Sequence, residues 1–356
     1  MRQNRQSVTP RTLRRRAVPG QVQDGAPPPT PPEVPRARSP APHEDVVSTV
    51  PAARSGGPVP RISRRTLLAG TGVALAAALA GCGSSAADGS AAPLRIGAIP
   101  DQDPEVLQRL YGTVADSLAS ALDLEVEYRP VTDYAAAVSL FRTGDLDLVW
   151  FGGLTGVQAR LQTRGAVPIA QRDIDEDFHS VFVVNAATRL TPSDDLRPLA
   201  ALRFTYGSET STSGRLMPAY FLREAGIDPQ GFPGGPGFSG SHDATIALVA
   251  SGSYQAGVLN EQVWRSRLGE GGITDSDVVE YARTPAYHDY HWLLGPRAVD
   301  RFGADLPDRL TDYFTGLTPE RDADVLELFG AGSFIPTEAT NYDQIEQIGR
   351  DLGLVR

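Results

Sequence analysis

Apolar positions alternate between strand-like and helix-like periods from residue 94 onward. Leu94 to Pro100 form a short apolar run that predicts a strand. Asp103-Pro104 is typical of a helix start, and apolar residues then recur every three or four positions from Val106 to Ala121. Residues 125–131 and 146–151 are predicted as the next two strands. Since strand and helix follow each other in turn, the sheet is predicted to be parallel with helical crossovers.

The alternation starts again after residue 180 as a second set of elements. It contains predicted strands at 180–184, 203–206 and 256–259 and predicted helices at 213–225 and 242–250. From Tyr287 the chain returns through further helices toward its end. The economical interpretation is two α/β lobes joined by crossing strands, with lobe 1 at 93–185, lobe 2 at 186–286 and the return to lobe 1 at 287–356.

The first ninety residues have a different character. Residues 1–60 are rich in Pro, Arg, Ser and Gln without apolar periodicity, so either they form a disordered extension or translation begins later. Ser63-Arg64-Arg65-Thr66-Leu67-Leu68 opens a short apolar run that is typical of an export signal. The arginine pair resembles a twin-arginine signal, although the general export route stays open.

Leu79-Ala80-Gly81-Cys82 resembles a bacterial lipobox, in which Cys82 becomes the acylated N-terminus. The alternative is that Cys82 is an incidental buried thiol. We therefore expect residues 1–81 to be an extension and lipoprotein signal, and residues 82–92 to be a lipid anchor and flexible tether.

The charge distribution agrees with export and excludes one class of partner. The whole chain carries −10, but residues 1–81 contain 12 Arg and only 4 acidic residues, which leaves about −18 on the remainder. A mature domain this acidic is not expected to bind nucleic acid.

A hydroxyl-rich turn is the most informative segment for chemistry. Ser211, Thr212 and Ser213 lie between a predicted buried strand and a helix. A helix N-terminus offers unpaired N–H groups and partial positive charge, and hydroxyls add donors, so the turn is suited to an anion. The alternative is that these residues only cap the helix.

A second helix start has the same design. Ser241 is a predicted N-cap, and His242 opens the helix with a ring that can donate to an oxyanion. Histidine also changes charge near neutral pH. The alternative is a surface pair between His242 and Asp243.

Five segments together resemble phosphonate-binding periplasmic proteins in order and spacing. They are Thr132-Asp133-Tyr134, Asp145 to Gly153, Ser211 to Gly214, Ser241 to Ala244 and Tyr287 to Tyr290, and the resemblance covers nearly all of 94–353. The motif Ser-Gly-Ser-His-Asp-Ala most resembles that of a subgroup named for selenate binding. The resemblance implies a type II-like periplasmic-binding-protein fold whose two lobes close on a ligand in the cleft between them.

The resemblance also implies ligand-binding residues. Ser211, Thr212, Ser213 and His242 would hold a tetrahedral anion, with Tyr134, Phe178 and Asp289 as further ligand-binding residues. The chain departs from the family at Phe178, which is often tyrosine, and at Phe151 and Gly153, where a hydroxyl and an amide are often found. A bare oxyanion is therefore expected more firmly than an aminoalkyl phosphonate.

The resulting hypothesis is an extracytoplasmic, lipid-anchored substrate-binding protein of an ABC importer for phosphonate, phosphite or selenate. Its expected partners are the permease and its ATPase, without cofactor, metal or catalysis. One alternative is a sensor of the same fold. Another is a hydrolase using Ser213, His242 and Asp289, but the Gly-x-Ser-x-Gly elbow is missing.

Overall fold

The computed structural model describes residues 92–274 and 276–355, which all lie in one compact unit. The predicted extension, signal and lipidated Cys82 lie outside the described residues. Within the described part of the chain, no helix has both the length and the apolar character that crossing a bilayer requires.

The first lobe is built on a six-stranded sheet in the order β11-β4-β10-β3-β1-β2. Its strands are β1 (Leu94–Ala98), β2 (Val126–Tyr128), β3 (Leu148–Phe151), β4 (Val167–Arg172), β10 (His291–Leu294) and β11 (Phe334–Pro336). Its helices are α1 (Pro104–Leu122), α2 (Tyr134–Thr143), α3 (Gly153–Gln162), α7 (Pro296–Phe302), α8 (Leu306–Thr315), α9 (Pro319–Phe329) and α10 (Asp343–Asp351).

The second lobe is built on a five-stranded sheet in the order β7-β6-β8-β5-β9. Its strands are β5 (Ser180–Asn185), β6 (Phe204–Tyr206), β7 (Gly237–Phe238), β8 (Ala256–Asn260) and β9 (Val278–Arg283). Its helices are a π-helical turn (Thr212–Leu216) followed by α4 (Met217–Glu224), then α5 (His242–Ala250) and α6 (Glu261–Gly269). Both faces of β5 are buried, with Val181 and Val183 on one side and Phe182 and Val184 on the other.

The predicted parallel pairing is right for part of each sheet. β1 pairs in parallel with β2 and β3, and β6 pairs in parallel with β7 and β8. It is wrong for β10 and β5, which are antiparallel to both of their neighbours, and for β11 against β4. The reason is that β5 and β10 enter from the other lobe and do not follow a helical crossover of their own sheet.

Two chain segments cross between the lobes, one between β4 and β5 and the other between β9 and β10. Phe178 and Tyr287 exchange both main-chain N–H···O bonds at 3.0 Å, and the Asp289 N–H donates to the Asp175 carbonyl at 3.0 Å. The crossing segments therefore lie against each other as an antiparallel pair. Because β5 belongs wholly to the second sheet, the first crossing ends before Ser180, earlier than the expected boundary at residue 185.

Candidate functional site

The three hydroxyls of the Ser211 turn have three different environments. Ser211 precedes the π-helical turn, and its Oγ accepts the Gly214 N–H at 2.9 Å, so it is a cap. The Thr212 Oγ1 accepts the Leu154 N–H of α3 at 3.0 Å, which joins the two lobes. The Ser213 Oγ is buried without a hydrogen-bond partner. Capping thus accounts for the Ser211 hydroxyl only, whereas the Ser213 hydroxyl is available to contact a ligand.

Asp289 lies on the second crossing segment, at the N-terminus of α3. Its Oδ1 accepts the Gly153 N–H at 2.9 Å, and its Oδ2 is buried without a partner. Gly152 permits this approach, because a Cβ there would lie 3.2 Å from the Asp289 Oδ1 and 3.1 Å from the Thr212 Oγ1. Burial raises the pKa of Asp289 to about 7.

Tyr134 supplies a third partnerless atom. It is the first residue of α2, behind the N-cap Asp133. Its hydroxyl is buried and faces Ser211, but no partner lies in good hydrogen-bond geometry. The part of the chain that the structure describes contains six such buried side-chain atoms, and three of them belong to Tyr134, Ser213 and Asp289. Buried polar atoms are nearly always paired, so these three side chains are the candidate ligand contacts of the cleft.

His242 is fully buried at the N-terminus of α5. Its main-chain N–H donates to the Asp101 carbonyl at 2.9 Å, across the lobes. Its Nδ1 accepts the Asn260 N–H at 3.4 Å, which leaves the ring proton on Nε2, 3.3 Å from the Tyr290 hydroxyl. The alternative of a surface pair with Asp243 is wrong, because Asp243 pairs with Arg267 at 2.7 Å.

Burial also changes the expected titration of His242. It lowers the pKa of the ring to about 4, so the imidazole is neutral near pH 7 in this structure. The group next to the site that titrates near neutrality is Asp289 instead.

A second buried cluster, which we name the paired network, consists of Asp101, Arg172, Asp175, His242, Asn260 and Tyr290. The Tyr290 hydroxyl donates to the Asp101 Oδ2 at 2.9 Å and accepts from the Asn260 Nδ2 at 3.0 Å. Arg172 and Asp175 form a buried salt bridge of 2.7 Å, with the guanidinium 5.0 Å from the Tyr290 ring.

Asp101, Asn260 and the pair of Arg172 and Asp175 were not predicted as site residues from the sequence. Asn260 and Arg172 are the last residues of β8 and β4, and Asp101 follows β1. Polar residues at the carboxyl ends of strands are typical of ligand clefts in α/β folds, so this position was the available signal.

Phe178 and Phe151, the two aromatic departures from the family, are fully buried. The Phe178 ring lies 5.7 Å from Tyr290 and 6.2 Å from Tyr287, in edge-to-face geometry. The Phe151 ring packs edge-on against Phe141 at 5.6 Å. Phe178 thus presents an apolar ring to the crossing segments, and Phe151 belongs to the core of the first lobe.

The hydrolase arrangement is not assembled in this structure. The two ring nitrogens of His242 face Asn260 and Tyr290, whereas a relay requires them to face Ser213 and Asp289. Across 92–274 and 276–355, no three His, Cys, Asp or Glu side chains are grouped so as to hold a metal ion.

Comparison with known sequences identifies relatives. Residues 96–342 match the family model of the periplasmic phosphonate substrate-binding protein of ABC transporters. A Prochlorococcus marinus protein named "Probable ABC transporter phosphite binding protein PhnD1" is 49% identical over 269 residues, which cover 74% of this chain and 91% of the relative. A "Phosphate-import protein PhnD" from Mycolicibacterium smegmatis is 26% identical over 61% of this chain and 72% of its own length.

Solved structures agree on the fold. PhnD1 of Prochlorococcus marinus in complex with methylphosphonate is 48% identical and has a TM-score of 0.72. The match covers 74% of this chain and 98% of the PhnD1 chain. A binding component of a phosphonate ABC transporter from Pseudomonas aeruginosa, 18% identical, has a TM-score of 0.63 over 72% of this chain and 84% of its own. The predicted two-lobed α/β fold is thereby confirmed.

Proposed function

The chain belongs to the family of periplasmic phosphonate substrate-binding proteins of ABC transporters, and from this premise we propose that its ligand is a small tetrahedral oxyanion of the phosphonate or phosphite class. The names of its relatives include phosphite, phosphate and methylphosphonate. Selenate remains a prediction from the sequence.

The observation that supports the proposal is the set of partnerless atoms on Tyr134, Ser213 and Asp289. Two of them are hydroxyls that donate, and the helix start behind Ser211 adds main-chain donors. Arg172 is already paired with Asp175, and the Arg215 guanidinium, which has no ion pair among the described residues, lies 4.3 Å from the Tyr206 ring. Recognition would therefore rest on neutral donors, with His242 turning its Nε2–H from Tyr290 toward the ligand.

Hydrogen bonds between the lobes support capture by closure. The Leu154 N–H reaches Thr212, the His242 N–H reaches the Asp101 carbonyl, and the Asp103 N–H reaches the Asp243 Oδ2 at 2.8 Å. These bonds join residues of the first lobe to residues of the second. In the proposed cycle, opening breaks them, the anion enters, and closing forms them again around it.

The protein works outside the cytoplasm and supplies an importer made of a permease and an ATPase, as its family does. Our proposal adds a lipid anchor on Cys82. Fractionation of cells expressing Cys82→Ser is the test, and we expect the variant in the soluble fraction. Unchanged retention in membranes would contradict the anchor.

A thermal-shift screen of the purified protein tests the ligand class. Phosphite, methylphosphonate, phosphate, sulfate and selenate are compared, and a ligand at 100 times its Kd adds about 2.7 kcal/mol to the free energy of unfolding. Ser213→Ala should lower the shift by about half or more, whereas Ser253→Ala, at an exposed serine of the same lobe, should retain it. If none of the anions shifts the wild-type protein, the proposed ligand class is wrong.

A further inference from the structure

Tyr287 lies on the second crossing segment, and its hydroxyl is buried next to two serines. The residue is 3% exposed, and its hydroxyl is bonded to the Ser180 Oγ at 2.6 Å. The Ser213 hydroxyl faces it too, but not in good hydrogen-bond geometry. Resting on the proposed function, we propose that Tyr287 is a positioning residue, which together with Ser180 directs the Ser213 hydrogen toward the bound anion.

The main chain holds Tyr287 and Ser180 in place. Tyr287 exchanges both main-chain N–H···O bonds with Phe178 at 3.0 Å, and the two rings pack edge to face at 6.2 Å. The Ser180 N–H donates to the Thr284 Oγ1 at 2.9 Å, and the Thr284 N–H donates back to the Ser180 carbonyl at 3.0 Å. Because both residues are fixed through the backbone, their hydroxyls meet at a defined point beside Ser213.

The number of hydrogens determines which hydroxyl donates. By distance alone, either oxygen of the Ser180 and Tyr287 pair can be the donor. Among the described residues, the Ser180 Oγ has no hydrogen-bond partner other than Tyr287, so its hydrogen is paired only if Ser180 donates. The Tyr287 hydrogen then goes to the other oxygen that its hydroxyl faces, the Ser213 Oγ. Ser213 keeps its own hydrogen for the anion.

The opposite direction is unfavourable at both ends. Donation from Ser213 through Tyr287 to Ser180 would leave the Ser180 hydrogen buried without an acceptor, which costs stability. It would also turn the lone pairs of Ser213 toward the ligand, where they repel an anion. Burial raises the pKa of Tyr287 well above its ordinary value, so the phenol keeps its hydrogen. The three hydroxyls together therefore favour an oxyanion over a cation.

Loss of the Tyr287 hydroxyl should have a moderate effect on affinity. Without it, the Ser213 hydroxyl can rotate among three staggered positions, and fixing one of them lowers the affinity about threefold. The polarisation that a chain of hydrogen bonds supplies would be lost as well. We expect Tyr287→Phe, which keeps the ring and its packing, to raise Kd for methylphosphonate about three- to tenfold.

A double-mutant cycle distinguishes positioning from a direct contact. Calorimetry with methylphosphonate compares wild type, Tyr287→Phe, Ser213→Ala and the double variant. If Tyr287 acts through Ser213, Tyr287→Phe should change Kd by less than about twofold in the Ser213→Ala protein. The same loss of affinity in both backgrounds would overturn the inference, because Tyr287 would then act independently of Ser213. An unchanged Kd in Tyr287→Phe alone would also overturn it.

Tyr281→Phe is the matched control. Tyr281 of β9 is 2% exposed, and its hydroxyl donates to the Asp195 carbonyl at 2.6 Å, the same distance as between the Ser180 and Tyr287 oxygens. Both Tyr→Phe variants should lower the urea midpoint of unfolding by similar amounts, but Tyr281→Phe should leave Kd within about twofold of wild type. An equal loss of affinity in both would show that lowered stability weakens binding, and the inference would be wrong.

Two further outcomes are distinguishable. If Tyr287→Phe does not fold, Ser180→Ala takes its place in the cycle and should raise Kd about threefold only where Ser213 is present. No loss, or the same loss in both backgrounds, would contradict the inference while the proposed anion site stands. If wild type binds neither methylphosphonate nor any other anion of the thermal-shift screen, the proposed function and the role of Tyr287 fail together.

Discussion

Two buried polar clusters lie side by side between the lobes and differ in how their atoms are satisfied. In the paired network, Tyr290 is bonded to Asp101 and Asn260, and Arg172 to Asp175. In the neighbouring cluster, Tyr134, Ser213 and Asp289 each keep an atom without a partner. The polar atoms of the first cluster are satisfied by the protein itself, whereas the second cluster is the proposed ligand site. Substitutions in the first should thus lower stability, whereas substitutions in the second should change binding without lowering stability.

The largest expected effect is on the paired network. Arg172→Met leaves Asp175 buried and unpaired, so the free energy of unfolding should fall by about 3 to 5 kcal/mol. Urea unfolding measures it. Arg197→Met, which breaks an exposed pair with Asp195, is the control and should cost less than about 1 kcal/mol.

The double variant Arg172→Met/Asp175→Leu sharpens this prediction. Since it removes both charges, it should regain much of the lost stability. Equal losses in Arg172→Met and Arg197→Met would show that the buried pair is not distinct from a surface pair.

The next largest expected effect is that of Asp289 on the free energy of unfolding, measured without ligand. Its pKa is about 7 when folded and 3.8 by the reference value, so the folded protein binds more protons between these limits and loses stability as pH rises through them. Asp289→Asn should therefore be more stable than wild type at pH 8, on the order of 2 to 4 kcal/mol.

Other groups titrate in the same range, so the test is the difference between the two proteins. Asp101, with a pKa of about 6, acts in the same direction, whereas His242 and His291, with pKa values of about 4, act in the opposite direction. Urea unfolding at pH 5, 6, 7 and 8 should show the gap growing with pH. A constant gap would mean that Asp289 does not titrate in this window.

The Ser211 turn should separate stability from binding within three residues. Ser213→Ala removes a partnerless atom, so stability should change by less than about 0.5 kcal/mol, while affinity falls about tenfold to a hundredfold. Ser211→Ala removes a cap and should cost about 1 kcal/mol of stability. Calorimetry and urea unfolding of both variants are needed. A stability loss confined to Ser213→Ala would reverse the assignment.

Local patterns predicted the elements of this fold better than their pairing. The helix after Asp103 and the αL stop of α2 at Gly144, with a φ of 75°, follow from residue types alone. The antiparallel β5 and β10 were missed, because a crossing strand has the same apolar run as a strand after a helical crossover.

The candidate site could be proposed from the sequence where a short motif contains the chemistry, as in the Ser211 turn and at His242. It was missed where partners come from distant segments. Tyr290, Asp101 and Asn260 are separated by up to 189 positions, and only the folded chain brings them together. The different roles of Ser211, Thr212 and Ser213 could not be predicted from the sequence either, because they depend on contacts with α3.

The smallest expected effect is the response of affinity to salt, and it tests whether binding depends on neutral donors. The proposed contacts of the anion are hydroxyls, main-chain N–H groups and a neutral imidazole, all buried when the lobes are closed, and Arg172 is neutralised by Asp175. Screening acts strongly on exposed charges and weakly on such contacts. Residues 82–356 carry about −18 and repel an anion at long range, so added salt should speed association slightly. We therefore expect Kd for methylphosphonate to change by less than about threefold between 50 and 300 mM salt, with any change toward tighter binding.

Measuring Kd in sodium chloride and in sodium acetate separates screening from competition by chloride. A steep loss of affinity in both salts would instead indicate that an unpaired arginine binds the anion.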